Sequence, residues 1–116
     1  MRHQKKTVKL GRTKGPRTAL FKNLATSIIL YENVQTTITK AKAIKPIVER
    51  LITRGKVKSL ANKRYLDTYL LDKKAIKKVL EVLGPRYKER PGGYLRIIKM
   101  KRRQGDGATM VQIEFV

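Results

Sequence analysis

No carboxylate precedes Glu32, so the first quarter of the chain is neutral or positive throughout. Such a segment cannot be drawn together by ion pairs of its own, and what it packs against must be neutral or anionic. Within residues 1–15, Arg2, Lys5, Lys6, Lys9, Arg12 and Lys14 are interleaved with small or polar residues, leaving only Val8 and Leu10 to bury. That apolar content does not offset the entropy of ordering the segment in water. An arm is therefore expected over residues 1–15, extended on a polyanion and able to bend at Gly11 and Gly15. Residues 16–116 read as a single α+β domain.

The imbalance runs through the whole molecule. Lys and Arg number 29 against 8 Asp and Glu, a formal charge of +21. A compact domain so charged repels itself, and a polyanion that releases its condensed counterions on contact relieves that repulsion while gaining binding free energy. Nucleic acid is the partner of that kind. Without Cys there is no disulfide framework and no thiolate metal site, and the composition suits a reducing cytoplasm. No run approaches the ~18 apolar residues of a membrane span, and the first thirty residues lack a signal-type apolar stretch. Membrane insertion is not expected. Trp is absent, and no segment sets large apolar residues opposite a Lys-rich face, which disfavours a lipid-surface helix.

The apolar periodicity outlines the elements. Leu20, Phe21, Leu24, Ala25, Ile28 and Ile29 recur at helical spacing, predicting a helix over about 16–31 with Pro16 in its first turn and Asn33 left-handed at its exit. Val34 to Thr39 is largely β-branched and reads as a short strand with Val34, Thr36 and Ile38 on one face. Thr39 is placed to cap a second helix carrying Ala41, Ile44, Val48, Leu51 and Ile52 and ending near Gly55, with Pro46 as a kink or as its true beginning. Ser59 to Leu70 reads as a third helix packed through Leu60, Tyr65, Leu66 and Tyr69. Asp72 caps a fourth, with Ile76, Val79, Leu80 and Leu83 on one side and Gly84-Pro85 as its stop. Residues 94–101 and 109–115 read as strands around a polar turn from Arg102 to Ala108. In the last, Val111, Ile113 and Phe115 alternate with Gln112 and Glu114, as in a sheet covered on one face. The expected order is α-β-α-α-α-β-β.

Catalytic chemistry finds little support. His3, the single histidine, has no Cys or second His to form a metal site or triad. The carboxylates are scattered where caps and surface pairs explain them, and neither Gly92-Gly93 nor Gly105-Asp-Gly107 matches a nucleotide-binding fingerprint. No enzyme, cofactor, metal or small-molecule substrate is expected. The informative groupings are two. In the arm and the start of the first helix, Arg2, His3, Lys5, Lys6, Lys9, Arg12, Lys14, Arg17 and Lys22 suit threading between phosphate backbones. From Pro85 onward, Arg86, Tyr87, Arg90, Tyr94, Arg96, Lys99, Lys101, Arg102 and Arg103 mix aromatics with cations. The arginines suit bidentate phosphate contacts. The tyrosines suit either stacking on an unpaired base or half-burial in the sheet with the hydroxyl at the surface.

Met1-Arg-His, Leu10-Gly-Arg12, Asn23-Leu-Ala-Thr-Ser27 and Gln35-Thr-Thr-Ile-Thr-Lys-Ala-Lys42 resemble the seventeenth protein of the bacterial large ribosomal subunit. In the carboxyl half, Gly84-Pro-Arg-Tyr87, Arg90-Pro-Gly-Gly-Tyr94-Leu-Arg-Ile97, Arg103-Gln-Gly-Asp106 and Val111-Gln-Ile-Glu-Phe-Val116 resemble the same family in the same order. Two stretches depart from it: Lys14-Gly-Pro16, where the family often has Ser and His, and Val57 to Tyr69, where agreement is loose. The resemblance implies a small mixed sheet with the final strand central, packed against helices. It also implies binding to 23S rRNA in the cytoplasmic ribosome, beside other large-subunit proteins and near the outer end of the peptide exit tunnel. A DNA-binding or RNA-chaperone module and a basic nuclease are the competing readings. The first lacks zinc-finger spacing, zipper heptads or an aromatic strand motif, and the second lacks acid–base or metal ligands. On the ribosomal reading, deletion of residues 1–14 is expected to weaken RNA binding and leave the fold intact.

Overall fold

The structure, a computed structural model, describes residues 10–116. Helix α1 spans Lys14–Tyr31, beginning two residues ahead of Pro16, which still falls in the first turn where its missing N–H leaves no intrahelical bond unmade. Its core face is Ala25, Thr26, Ile28 and Ile29. Thr26 is the one buried polar side chain among the described residues; its hydroxyl donates to the Lys22 carbonyl at 2.8 Å and accepts from the Leu71 N–H at 3.5 Å. The left-handed exit residue is Glu32 (φ 63°), not Asn33 as expected, and its N–H bonds Ile28 O at 2.8 Å. The reason lies in the strand that follows. Asn33 already pairs with Glu114, so the chain must reverse one residue earlier.

Strand β1 covers Asn33–Thr37 and helix α2 Ile38–Gly55. Ile38 therefore belongs to the helix rather than the strand, and the N-cap is Thr37 rather than Thr39, without a side-chain bond. Pro46 neither begins nor interrupts α2. Pro46 and Lys42, whose carbonyl loses its partner, are both exposed, so water can take the missing donor's place. The buried stripe is Ala41, Ile44, Val48, Leu51, Ile52 and Gly55. Helix α3, Leu60–Tyr69, is capped by Ser59, whose hydroxyl accepts from the Asn62 N–H at 3.1 Å. Its Leu66 is buried, whereas Leu60, expected to pack, is exposed. At ~100° per residue Leu60 lies about 120° round the helix from Leu66, off the core side.

Helix α4, Lys73–Lys78, opens on Asp72, whose carboxylate accepts from the Lys74 N–H at 2.8 Å. It continues without a break through a π-helical stretch, Val79–Leu83, and a last turn, Gly84–Arg86. Gly84 was expected to stop the helix and instead passes through it in right-handed conformation (φ −56°). Its role is one of space: a Cβ there would collide with the Gly55 carbonyl of α2, and a Cβ on Gly55 would collide with a Val79 methyl. Two glycines thus let the end of α2 and the π stretch approach backbone to backbone.

Strands β2, Leu95–Lys99, and β3, Met110–Phe115, form a hairpin, and the sheet order is β1-β3-β2 with the final strand central. Both pairings are antiparallel, correcting the mixed sheet that the resemblance implied. β1 and β2 do run in the same direction, but they lie on opposite sides of β3 and share no ladder. The register puts Val34, Ile113 and Ile97 in one row on the core side. Asn33, Glu114 and Arg96 form a row on the other face, followed by Gln35, Gln112 and Ile98. The helices cover the first face only. The core joins Ile28, Ile44, Leu51, Leu66, Val79 and Leu83 to Leu95 and Ile113.

Candidate nucleic-acid interface

The first cationic grouping sits at the front of α1. Arg12 and Lys14 are exposed, Arg17 and Lys22 half-buried, and the Arg12 guanidinium donates to Leu10 O at 3.1 Å. Lys14, Thr18 and Lys22 follow one another at four-residue spacing beside Gly15, Ala19 and Leu71, around a shallow depression with lysines at its ends. No acidic side chain stands in the first turn of α1, and Thr13 caps it with no side-chain bond. The positive end of the helix dipole thus adds to the side-chain charge. Arg2, His3, Lys5, Lys6 and Lys9 lie outside the described residues.

The second grouping is divided by the fold. Arg86, at the end of the long fourth helix, bonds the carboxylate of Glu32, which Lys78 also approaches at 3.2 Å. The Arg86 hydrogen bond holds the Glu32 carboxyl below its ordinary range, with Lys78 adding to the effect, and Glu32 in turn raises the guanidinium. Arg96 donates to Glu114 at 2.7 Å across the outer sheet face, lowering that carboxyl as well. Arg103 and Asp106 make a two-pronged pair at 3.1 and 2.5 Å across the hairpin turn, and Arg103 lowers the Asp106 carboxyl to about 2. Each pairing occupies one or two of the five guanidinium donors and fixes the plane of the rest, so the group is oriented for an oxyanion without being used up. Arg90, Lys99, Lys101 and Arg102 are exposed and, among the described residues, have no carboxylate partner. Lys99 pairs with Val111 on the core-side face and Arg96 with Glu114 on the other, so these two cations point apart.

Tyr87 and Tyr94 are a correction. Both rings are inside the core, at 4% and 0% exposure, 5.1 Å apart and with Phe115 stacked on Tyr87. Their hydroxyls are engaged as well, Tyr87 donating to Val116 O at 2.8 Å and Tyr94 meeting Thr53 Oγ1 at 3.2 Å. The Tyr94 N–H is held by Glu49 at 2.9 Å. Neither ring offers a face to a base. The helices come up against this end of the sheet, and a ring of Tyr size is what fills the space between them.

The carboxylates explain why so much positive charge is left over. Glu32, Asp106 and Glu114 orient arginines, Asp72 caps a helix and Glu49 holds Tyr94, so they serve the fold locally while most cations face solvent. Among the described residues no cluster of His, Cys, Asp and Glu could hold a metal, and no helix is long and apolar enough to cross a membrane. The arrangement can bind anions along an extended basic surface. Periodicity puts Lys73, Lys74, Lys77 and Lys78 on the side of the fourth helix that favours solvent or phosphate, and the structure adds the pairing of Lys78 with Glu32. Sequence reasoning missed Lys56, whose ammonium lies 4.8 Å from the Tyr94 ring centre and bonds the Arg90 carbonyl. Tyr31, 71% exposed, was missed too. Standing three residues after the buried Ile28, it reads by periodicity as one more core position.

Comparison with known proteins agrees with the motifs. The family described as Ribosomal protein L17 matches residues 20–116. The chain is also similar to the Large ribosomal subunit protein bL17 of Thermomicrobium roseum, 47% identical over 116 residues, which span 100% of this chain and 99% of the relative.

Proposed function

Because the chain belongs to the ribosomal protein L17 family, we propose that it is a structural, non-catalytic constituent of the large ribosomal subunit that binds 23S rRNA and stabilises its fold. The observation that carries this reading is the split between the two kinds of charge. Four of the eight carboxylates, Glu32, Asp72, Asp106 and Glu114, cap a helix or orient an arginine, while most Lys and Arg among the described residues have no carboxylate partner. A polyanion with many phosphates is what such a surface binds.

In this reading the residues ahead of α1, which begins at Lys14 and not after residue 15 as expected, are an arm laid along RNA, with Arg2, His3, Lys5, Lys6 and Lys9 continuing the basic edge formed by Arg12, Lys14, Arg17 and Lys22. Arg86, Arg90, Arg96, Lys99, Lys101, Arg102 and Arg103 make further phosphate contacts. The family resemblance supports a place near the outer end of the exit tunnel, beside neighbouring large-subunit proteins in the cytoplasm. Sedimentation of a lysate checks the assignment: the protein should travel with assembled large subunits and stay with them through a moderate salt wash. For the isolated protein on rRNA, about six to ten phosphate contacts should make the affinity fall ~10³- to 10⁵-fold between about 50 and 200 mM salt. A protein found free of ribosomal particles, or indifferent to rRNA in dilute buffer, would defeat the proposal.

A further inference from the structure

The chain has five tyrosines, two phenylalanines and no tryptophan, and six of those seven rings have a place in the fold. Tyr87, Tyr94 and Phe115 pack together, Tyr65 and Tyr69 lie half-buried with their centres 5.5 Å apart and Arg54 over the former, and Phe21 packs on the core. Tyr31 is the exception. At 71% exposure it is the most exposed large apolar side chain among the described residues. A ring left in water contributes almost none of the burial energy for which aromatic residues serve in cores.

The residues that flank it are bound to cations. Lys78 donates to the Leu30 carbonyl at 3.1 Å and reaches the Glu32 carboxylate at 3.2 Å, and Arg86 bonds the same carboxylate. Two positive groups and one negative group therefore converge on Leu30 and Glu32, the residues either side of Tyr31, and the guanidinium keeps donors to spare. Immediately beyond, Asn33 and Gln35 are exposed on β1, an open edge of the sheet. An uncommitted aromatic face next to a net positive charge is the arrangement that holds a nucleotide: the ring takes the base and the cations take its phosphate.

We infer that Tyr31 stacks on an unpaired RNA base, with Lys78 and Arg86 beside it holding the adjoining phosphate. The inference rests on the RNA-binding reading and replaces the two buried tyrosines as its stacking platform. A protein partner would accept the ring equally well but would gain little from the surrounding positive charge.

Because the chain lacks Trp, Tyr31→Trp places a single tryptophan, excited selectively over the four remaining tyrosines, at the site without disturbing the core. The probes are protein-free large-subunit rRNA and a short single-stranded RNA of mixed sequence. Saturable quenching is expected with both. Tyr31→Ala should lose roughly tenfold in affinity and Tyr31→Phe about none. The ratio of parent to Tyr31→Ala affinity should hold steady between about 50 and 200 mM salt, since stacking releases no counterions. If the parent binds rRNA while the Tyr31→Trp emission stays unchanged and Tyr31→Ala binds like the parent, the inference falls and the RNA reading stands. If the parent does not bind rRNA at all, both fall. Emission that responds to isolated large-subunit proteins but not to RNA would assign the ring to a protein contact and overturn the inference.

Discussion

At Glu32 a helix exit, a left-handed backbone and an ion-paired carboxylate coincide. Arg86 and Lys78 make its carboxyl more acidic in the folded state than its ordinary value of 4.5. The stabilisation is therefore complete above that value and is lost as pH falls through the lower, folded one. Glu32→Gln should destabilise by about 0.2–1 kcal/mol at neutral pH, the range of partly exposed ion pairs. The deficit should shrink as the pH is taken down towards 3; melting temperatures of parent and variant at pH 7 and pH 3 measure it, and a gap independent of pH would contradict the linkage. The buried tyrosines give a second contrast. Tyr87→Phe and Tyr94→Phe each remove one hydroxyl contact, to Val116 O and Thr53 respectively, and should cost about 1 kcal/mol in denaturant unfolding. RNA affinity should not change, because neither ring reaches the surface.

The elements differ in how much of them is local chemistry. Ser59 and Asp72 each accept a hydrogen bond from their own helix, so replacing either by Ala should cost about 0.5–2 kcal/mol, whereas Thr13→Ala, where no side-chain cap exists, should be nearly neutral. Thermal unfolding of the three variants separates these cases. The Asp72 cap is legible in sequence because donor and acceptor lie two residues apart. Gly84 is different. Its sequence context, Leu83-Gly-Pro, signals a helix end, and the tertiary contact with Gly55 of α2 overrides that signal. Gly84→Ala should destabilise by roughly 1–3 kcal/mol through overpacking, where Ala at an ordinary exposed helical glycine would stabilise. An unchanged or raised denaturation midpoint would show that the two helices can separate at no cost.

Across the whole molecule, stability and binding are carried by different residues. The core is built from helices and one sheet face, and the cations surround it. The first twelve residues hold Arg2, Lys5, Lys6, Lys9 and Arg12, and α1 starts after them with Thr13 as its cap. Deletion of residues 1–12 should therefore leave the melting temperature within a few degrees of the parent while weakening rRNA binding. The slope of log affinity against log salt should become shallower by about 0.9 for each phosphate contact removed from duplex RNA treated like B-form DNA, or about 0.7 from single strands. A truncated protein that melts far lower would place those residues in the fold, and an unchanged slope would remove them from the interface.

By itself the sequence determined the surplus of positive charge, the apolar stripes of α1 and α2, the cap at Asp72, and the alternation of β3. Each is a property of neighbouring residues, governed by the 3.6- and 2-residue periods and by hydrogen bonds that close within a turn. Tertiary structure alone decided that the strands pair antiparallel, that Tyr87 and Tyr94 go inside while Tyr31 stays out, that Glu32 gathers Arg86 and Lys78, and that a helix runs on through Gly84. Those outcomes join residues far apart in the chain, such as Gly55 with Gly84 and Thr53 with Tyr94. A side chain's partners there depend on where packed elements meet, which no local period encodes.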